Sequence, residues 1–317
     1  MHPAFSVILF TTLSGAGYGL LFWAACASLV GAGSARALLV ALVVALVLCS
    51  VGLLASMLHL GKPMRAWRAF SQWRTSWLSR EGVLAMLTYV PALLLGAVLL
   101  PGMLDGRAPG AVPALNVAGV VVSLLLMACA LATVYCTAMI YSSLKPIPAW
   151  RHWLVPPVYL GFALLSGGLL LVAIANADGA DFGQLPSIAA IVLALVLWLA
   201  KWRYWGDIAA PLPATRGAAV GLPQRTVSVF ERPHTEANYI TREMAFVVAR
   251  RHASQLRLIS VVLFVAVPVL CMLGSLLSMD GGGRIWFALA AASAIAGTFV
   301  ERWLFFAEAR HMVTLYY

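Results

Sequence analysis

The stretch "LHLGKPMRAWRAFSQWRTSWLSREG" (residues 58–82) lies between two apolar runs, each more than 20 residues long. It holds five cations, three tryptophans, one histidine and one glutamate. A helix needs about 20 mostly apolar residues to cross a bilayer. The flanking runs therefore read as membrane spans, and this stretch reads as the turn between them at one membrane face. Trp67, Trp73 and Trp77 suit such an interfacial depth.

The pattern continues along the chain. Apolar runs long enough to span fall near 5–30, 36–58, 82–101, 113–141, 153–176, 185–203, 256–279 and 285–306. The sequence predicts an all-α integral membrane bundle of eight transmembrane helices, a single membrane domain over 1–317. Composition agrees: 62% of the residues are hydrophobic and 10% charged, with a mean hydropathy of +0.93, whereas a soluble domain carries about 25% charged residues. The first run starts at once and is too long for the apolar core of a signal peptide, so it reads as a retained span. Membrane lipid is the expected surround, and no nucleic-acid partner is expected.

Eight spans put both termini on one face, called face A below. Of the 21 Lys and Arg residues, 18 fall on face A and only Arg36, Arg107 and Arg284 on the other. Leaving out the long 204–255 connection and its flanks, the bias is still 9 to 3. By the positive-inside rule, face A is cytoplasmic, which places the chain in a bacterial inner membrane with both termini inside. The connection itself reads in two parts. Residues 205–235, rich in Pro, Gly and Arg, look irregular. "TEANYITREMAFVVARRHASQLR" looks helical, either a solvated extension of the seventh span or a docking platform for a cytoplasmic subunit. A basic surface of this kind suits an acidic partner, and Arg68, Arg74, Arg242, Arg250 and Arg251 are the candidate docking residues.

Several chemistries are disfavoured. The five cysteines all lie inside apolar runs and form no CxxC, so no iron–sulfur cluster is expected in this chain. All six histidines fall on face A, which argues against a haem held by histidines buried within the helices. No metal site is expected. No span carries a charge near its centre, unlike most transporters and pumps.

His59 closes the second span and Glu81 opens the third, so both sit near headgroup depth on face A. A protonatable imidazole and a carboxylate at a membrane face suit a quinone, whose apolar ring arrives from lipid and whose oxygens exchange protons on reduction or oxidation. A plainer reading is that His59 merely ends a helix and Glu81 merely favours a helix N-terminus. Near the C-terminus, Glu301 and Arg302 fall towards the face A end of the last span. The simplest expectation there is a snorkelling interfacial pair; the alternative is that Arg302 faces the bundle and lines the quinone pocket or the docking surface.

"SMLHLGKPMRAWRAF" followed by "SWLSREG" resembles the signature between helices two and three of the membrane anchor subunits of DMSO-reductase-type molybdoenzymes. That signature reads roughly HLG-x-P-x-RA, then Ser-x-Glu about twenty residues on. The matching residues are His59, Leu60, Gly61, Pro63, Arg65, Ala66, Ser79 and Glu81, and the eight-span plan extends the resemblance over nearly the whole chain. The resemblance implies a quinone (ubiquinone or menaquinone) as cofactor, held by His59 and Glu81 with Arg65 as a weaker candidate. It also implies two partners: an iron–sulfur subunit with ferredoxin-like clusters and a molybdopterin catalytic subunit. Within the family, "PHTEANYITREMAFVVARRHASQLR" and "ERWLFFAEARHMVTLYY" look most like the membrane subunits of cytoplasmic, quinone-dependent sulfite dehydrogenases. The cytoplasmic face A agrees with that branch, because anchors of exported reductases present the corresponding face outward. Two alternatives stand beside it: an anchor of a DMSO or other oxyanion reductase oxidising menaquinol, and a multispan transporter or scaffold without a redox role.

Overall fold

The computed structural model describes residues 4–104, 114–180, 182–210, 212–231, 252–277 and 283–316. Among them are eight helices long and apolar enough to cross a membrane. They are α1 (Phe5–Leu29), α2 (Ala35–Met57), α3 (Trp77–Leu104), α4 (Val117–Ser142), α5 (Val155–Ala177), α6 (Leu185–Ile208), α7 (Ala253–Leu277) and α8 (Gly283–Ala307). The expected spans are all present. The helical reading of residues 235–251, and with it Arg242, Arg250 and Arg251, lies outside the described residues. Residues 212–231 are mostly irregular, with one helical turn at Arg216–Ala219.

Local sequence sets the helix ends. Ser34 and Asn116 cap α2 and α4 by accepting hydrogen bonds from the backbone N–H groups of Ala37 and Gly119, which relieves orphaned donors of the first turn. α1 and α5 end alike. Gly31 (φ 68°) and Gly179 (φ 82°) take the left-handed conformation, and the next residue donates back to the carbonyl of Ala27 or Ala175, at 2.9 Å in both. Glycine is the residue that adopts this helix stop without strain.

The principal packing partners repeat after a shift of four helices. α1 packs on α2 and α4, as α5 packs on α6 and α8; α3 packs on α4, as α7 packs on α8; α4 meets α5, and α8 meets α1. At the centre α1 and α5 cross with their backbones in contact. A Cβ built on Gly19 would lie 1.8 Å from the Ala163 carbonyl oxygen, and one on Gly167 would lie 2.1 Å from the Gly19 carbonyl carbon. Small residues permit this approach, and dispersion contacts hold it where lipid removes the hydrophobic drive. Elsewhere apolar stripes face outward: Val40, Val43, Val47, Val51 and Leu54 of α2 are exposed at helical spacing.

α7 contains a π-helical turn at Val262–Ala266. Pro268 has no N–H to offer the preceding turn. The Leu263 carbonyl instead accepts from Ser293 Oγ of α8 at 2.7 Å, so a side chain replaces the missing backbone donor. Gly297 gives α8 room beside this turn, since a Cβ there would fall 2.6 Å from the Phe264 nitrogen.

The tail folds back over face A. The Met312 N–H donates to the Pro146 carbonyl at 2.9 Å, and the Tyr316 hydroxyl donates to the Ala219 carbonyl at 3.1 Å. On the opposite face Asp178 pairs with Arg36 and accepts from Ser34, tying the α1–α2 turn to the α5–α6 turn.

Candidate quinone-site residues at face A

α3 begins at Trp77, earlier than the expected residue 82. Arg80 explains the early start. It donates to the carbonyls of Trp73 (3.0 Å) and Arg74 (2.6 Å) and lies 4.3 Å over the Trp77 ring. The incoming loop is thus fastened to the first turn of the helix. Glu81 consequently sits one turn inside α3 rather than at its start, and it is buried at 5% exposure.

Glu81 faces α4. Thr137 Oγ donates to Glu81 Oε1 at 2.5 Å. The same hydroxyl also lies 3.1 Å from the Thr133 carbonyl. A hydroxyl has one proton and two lone pairs. When Glu81 is ionised, Thr137 donates to it; when Glu81 is protonated, Thr137 can accept from it and turn its own proton to Thr133. The Glu81–Thr137 hydrogen bond therefore survives either protonation state, which is what a proton-exchanging carboxyl requires.

The other residues expected at the site divide into two groups. His59, Arg65, Arg68 and Arg74 lie exposed on the α2–α3 connection, whose 3-10 segment Pro63–Gln72 buries none of its residues. Arg68 and Arg74 rest against the Trp67 and Trp73 rings, at 5.6 Å each. His59, just past the end of α2, is partly desolvated, and this lowers its imidazole pKa below the usual value. Neutral imidazole offers one donor and one acceptor. Among the described residues no hydrogen bond or ion pair joins His59 to Glu81 or to Arg302.

Arg302 belongs to a separate cluster, and the expected snorkelling pair is not what forms. Glu301 and Arg302 are 0% and 2% exposed. Glu301 Oε1 accepts from Lys201 Nζ of α6 at 2.6 Å, and its Oε2 lies 3.2 Å from Arg302 Nη1. The Arg302 guanidinium lies 3.4 Å over the Tyr159 ring, and Lys201 lies 4.1 Å from the Tyr204 ring. Lys201 is inside α6, which runs on to Ile208, past the expected end near residue 203. A charge this far from water is tolerable because it is paired and faces ring π-clouds. Nearer the surface Arg257 pairs with Glu308 at 2.9 Å; burial pushes the Glu308 carboxyl up, and Arg257 pulls it down. His152 and Arg203 both pair with Asp207 at 3.1 Å.

A family model, DMSO reductase anchor subunit (DmsC), matches residues 1–307. The protein belongs to this anchor family. Over 339 aligned residues, spanning 100% of its length and 99% of the relative, this DmsC-family protein is 34% identical to a sulfite dehydrogenase subunit of Allochromatium vinosum. It is 31% identical over 156 residues to a polypeptide of the anaerobic dimethyl sulfoxide reductase of Escherichia coli, spanning 48% of its own length and 50% of that relative. Thr137, Lys201, Tyr159 and Tyr204 are the partners of Glu81, Glu301 and Arg302 that sequence reading passed over. Only Lys201 left a signal, as a cation inside an aromatic-rich helix end, "LWLAKWRYW".

Proposed function

We propose that this anchor subunit holds a quinone at face A and passes electrons between the quinone pool and an iron–sulfur subunit with ferredoxin-like clusters, itself joined to a molybdopterin catalytic subunit. The reaction served is sulfite oxidation with quinone reduction. Full-length likeness to a sulfite dehydrogenase subunit supports that direction; the likeness to the dimethyl sulfoxide reductase polypeptide extends over only half of the sequence.

The observation that carries the reading is the buried Glu81–Thr137 pair, one helical turn from the face that also bears His59. The donor set fits a quinone: a neutral imidazole, a carboxyl served by a hydroxyl, and an apolar helix surface beside them. A bound quinone supplies two-electron, two-proton chemistry. His59 holds the headgroup, Glu81 moves a proton, and Arg65 adds positive charge close by. The exposed Arg68 and Arg74 offer a basic surface for the iron–sulfur subunit, and Arg242, Arg250 and Arg251 remain sequence-level candidates for the same contact. Electrostatic complementarity of this sort sets docking rate and register more than raw affinity.

Deleting this protein tests the function. Cells lacking it should lose sulfite-dependent reduction of a quinone analogue in membranes, while the soluble remainder still oxidises sulfite with an artificial acceptor. Full quinone-linked activity without it would refute the proposal. Orientation is tested separately. Alkaline phosphatase fused after Ala180 should be active and, fused after Phe230, inactive. The reverse pattern would place face A outside and favour an exported reductase.

A further inference from the structure

Between α1, α4, α5 and α8 lies a narrow space walled by Thr11, Thr12, Ser14, Thr137, Thr298 and Arg302, among others. Three of these hydroxyls spend their protons on carbonyls of their own helices. Thr11 donates to Val7 at 3.0 Å, Ser14 to Phe10 at 2.6 Å and Thr298 to Ala294 at 2.7 Å. Their remaining lone pairs are acceptors. Thr12 Oγ1 and Arg302 Nε are fully enclosed and make no hydrogen bond to the described residues. Acceptors and a charged donor thus share one small space with room for about one water molecule and polar partners to hold it.

Two further spaces lie between this one and face A. A second one shares Tyr159 and Arg302 as walls and continues to Glu301, Lys201 and Tyr204. The Tyr204 hydroxyl donates to the Ala149 carbonyl at 3.1 Å. Ala149, with His152, Asp207 and Glu308, lines a third space at face A. Thr137 stands at the inner end, with its hydroxyl on Glu81.

We propose that these spaces form a water-bridged proton route from face A, past Glu301 and Arg302, to Thr137, and that Thr137 reloads Glu81. This rests on the reading of Glu81 given above. The step balances without any redox partner. A water gives a proton to Thr137 Oγ while the Thr137 hydroxyl proton moves to Glu81 Oε1; the carboxylate becomes the acid, and the water regains its proton from the aqueous phase at face A. Arg302 is a positioning residue. It only donates, so water beside it turns its lone pairs to the guanidinium and its hydrogens towards the hydroxyl wall.

The test is deuterium uptake by the Glu81 carboxyl in the purified, intact complex. Its C=O stretch is followed by infrared spectroscopy after transfer to D2O at a pH where the acid form persists, and the band is assigned by its loss in Glu81→Gln. Thr137→Val should slow uptake about a hundredfold, the lower range for removal of a positioned proton-transfer group, and Thr137→Ser should restore it. Thr12→Val separates transport from structure. Thr12 bonds no described residue, so its removal should leave the protein contacts of the bundle intact, yet it should slow uptake. Wild-type exchange in both Thr137→Val and Thr12→Val would overturn the route. Normal quinone turnover in Glu81→Gln would instead sink the parent reading, while slowed exchange in the threonine variants would still establish the route.

Discussion

His59→Ala is expected to abolish quinone-linked turnover of the intact complex while leaving turnover with a soluble artificial acceptor in place. Glu81→Gln should slow the same quinone-linked step by about a hundredfold, the lower range for a positioned proton-transfer group. The two variants fail for different reasons. The amide introduced by Glu81→Gln keeps the shape of the carboxyl and can still bond Thr137, but it cannot exchange a proton. His59→Ala removes the imidazole altogether, at an exposed site where little packing is lost. Both rates are measured on one membrane preparation, with the artificial-acceptor rate as the measure of assembly. Quinone-linked rates at the wild-type level in both variants would return His59 and Glu81 to duty as helix-end residues.

Glu301→Ala is expected to destabilise the bundle by about 3–5 kcal/mol, because removing one partner of a buried ion pair leaves an uncompensated charge. Here one carboxylate faces two cations, Lys201 at 2.6 Å and Arg302 at 3.2 Å. Its loss strands both cations among aromatic rings, with no second carboxylate paired with them among the described residues. Lys201→Met should cost far less in the Glu301→Ala background than in the wild type, since the cation it removes is already unpaired. The measurement is a double-mutant cycle of thermal unfolding in detergent. Simple additivity of the two substitutions would show that the pair is not coupled.

The spans were legible because length and hydropathy settle them: a run that cannot be hidden from water must be in lipid. Their ends were less so. α6 reads as stopping near residue 203, and α3 as starting near 82, because a charged residue looks like a membrane edge. In the structure α6 runs on past Arg203 to Ile208 and Glu81 is inside α3; the buried charges of Lys201 and Glu81 are made tolerable by Glu301 and Thr137. Those partners come from helices distant in sequence. A depth argument could have found the first pair. Lys201 is seven residues before the end of α6, and Glu301 is six before the end of α8; both helices leave the bilayer at face A, so the two charges lie at nearly the same level. Thr137 had no such signal. A threonine in an apolar helix ordinarily bonds its own preceding turn, and the sequence does not say which also reaches a neighbour.

The crossing of Gly19 on Ala163 and Gly167 on Gly19 has a consequence for biogenesis. α1 leaves the ribosome nearly 150 residues before Gly167, the last residue of that crossing, is made. Until α5 is inserted, the glycine face of α1 has no mate and must be tolerated by lipid, which favours no particular neighbour. Glu81 and Thr137 are both synthesised in that interval, yet α4 and α1 are held only partly until the second set of four helices arrives. The first half can therefore enter the membrane early but cannot mature early. Nascent polypeptides arrested before residue 167 should be protease-sensitive intermediates, and on the function proposed above partner capture should follow the insertion of α5.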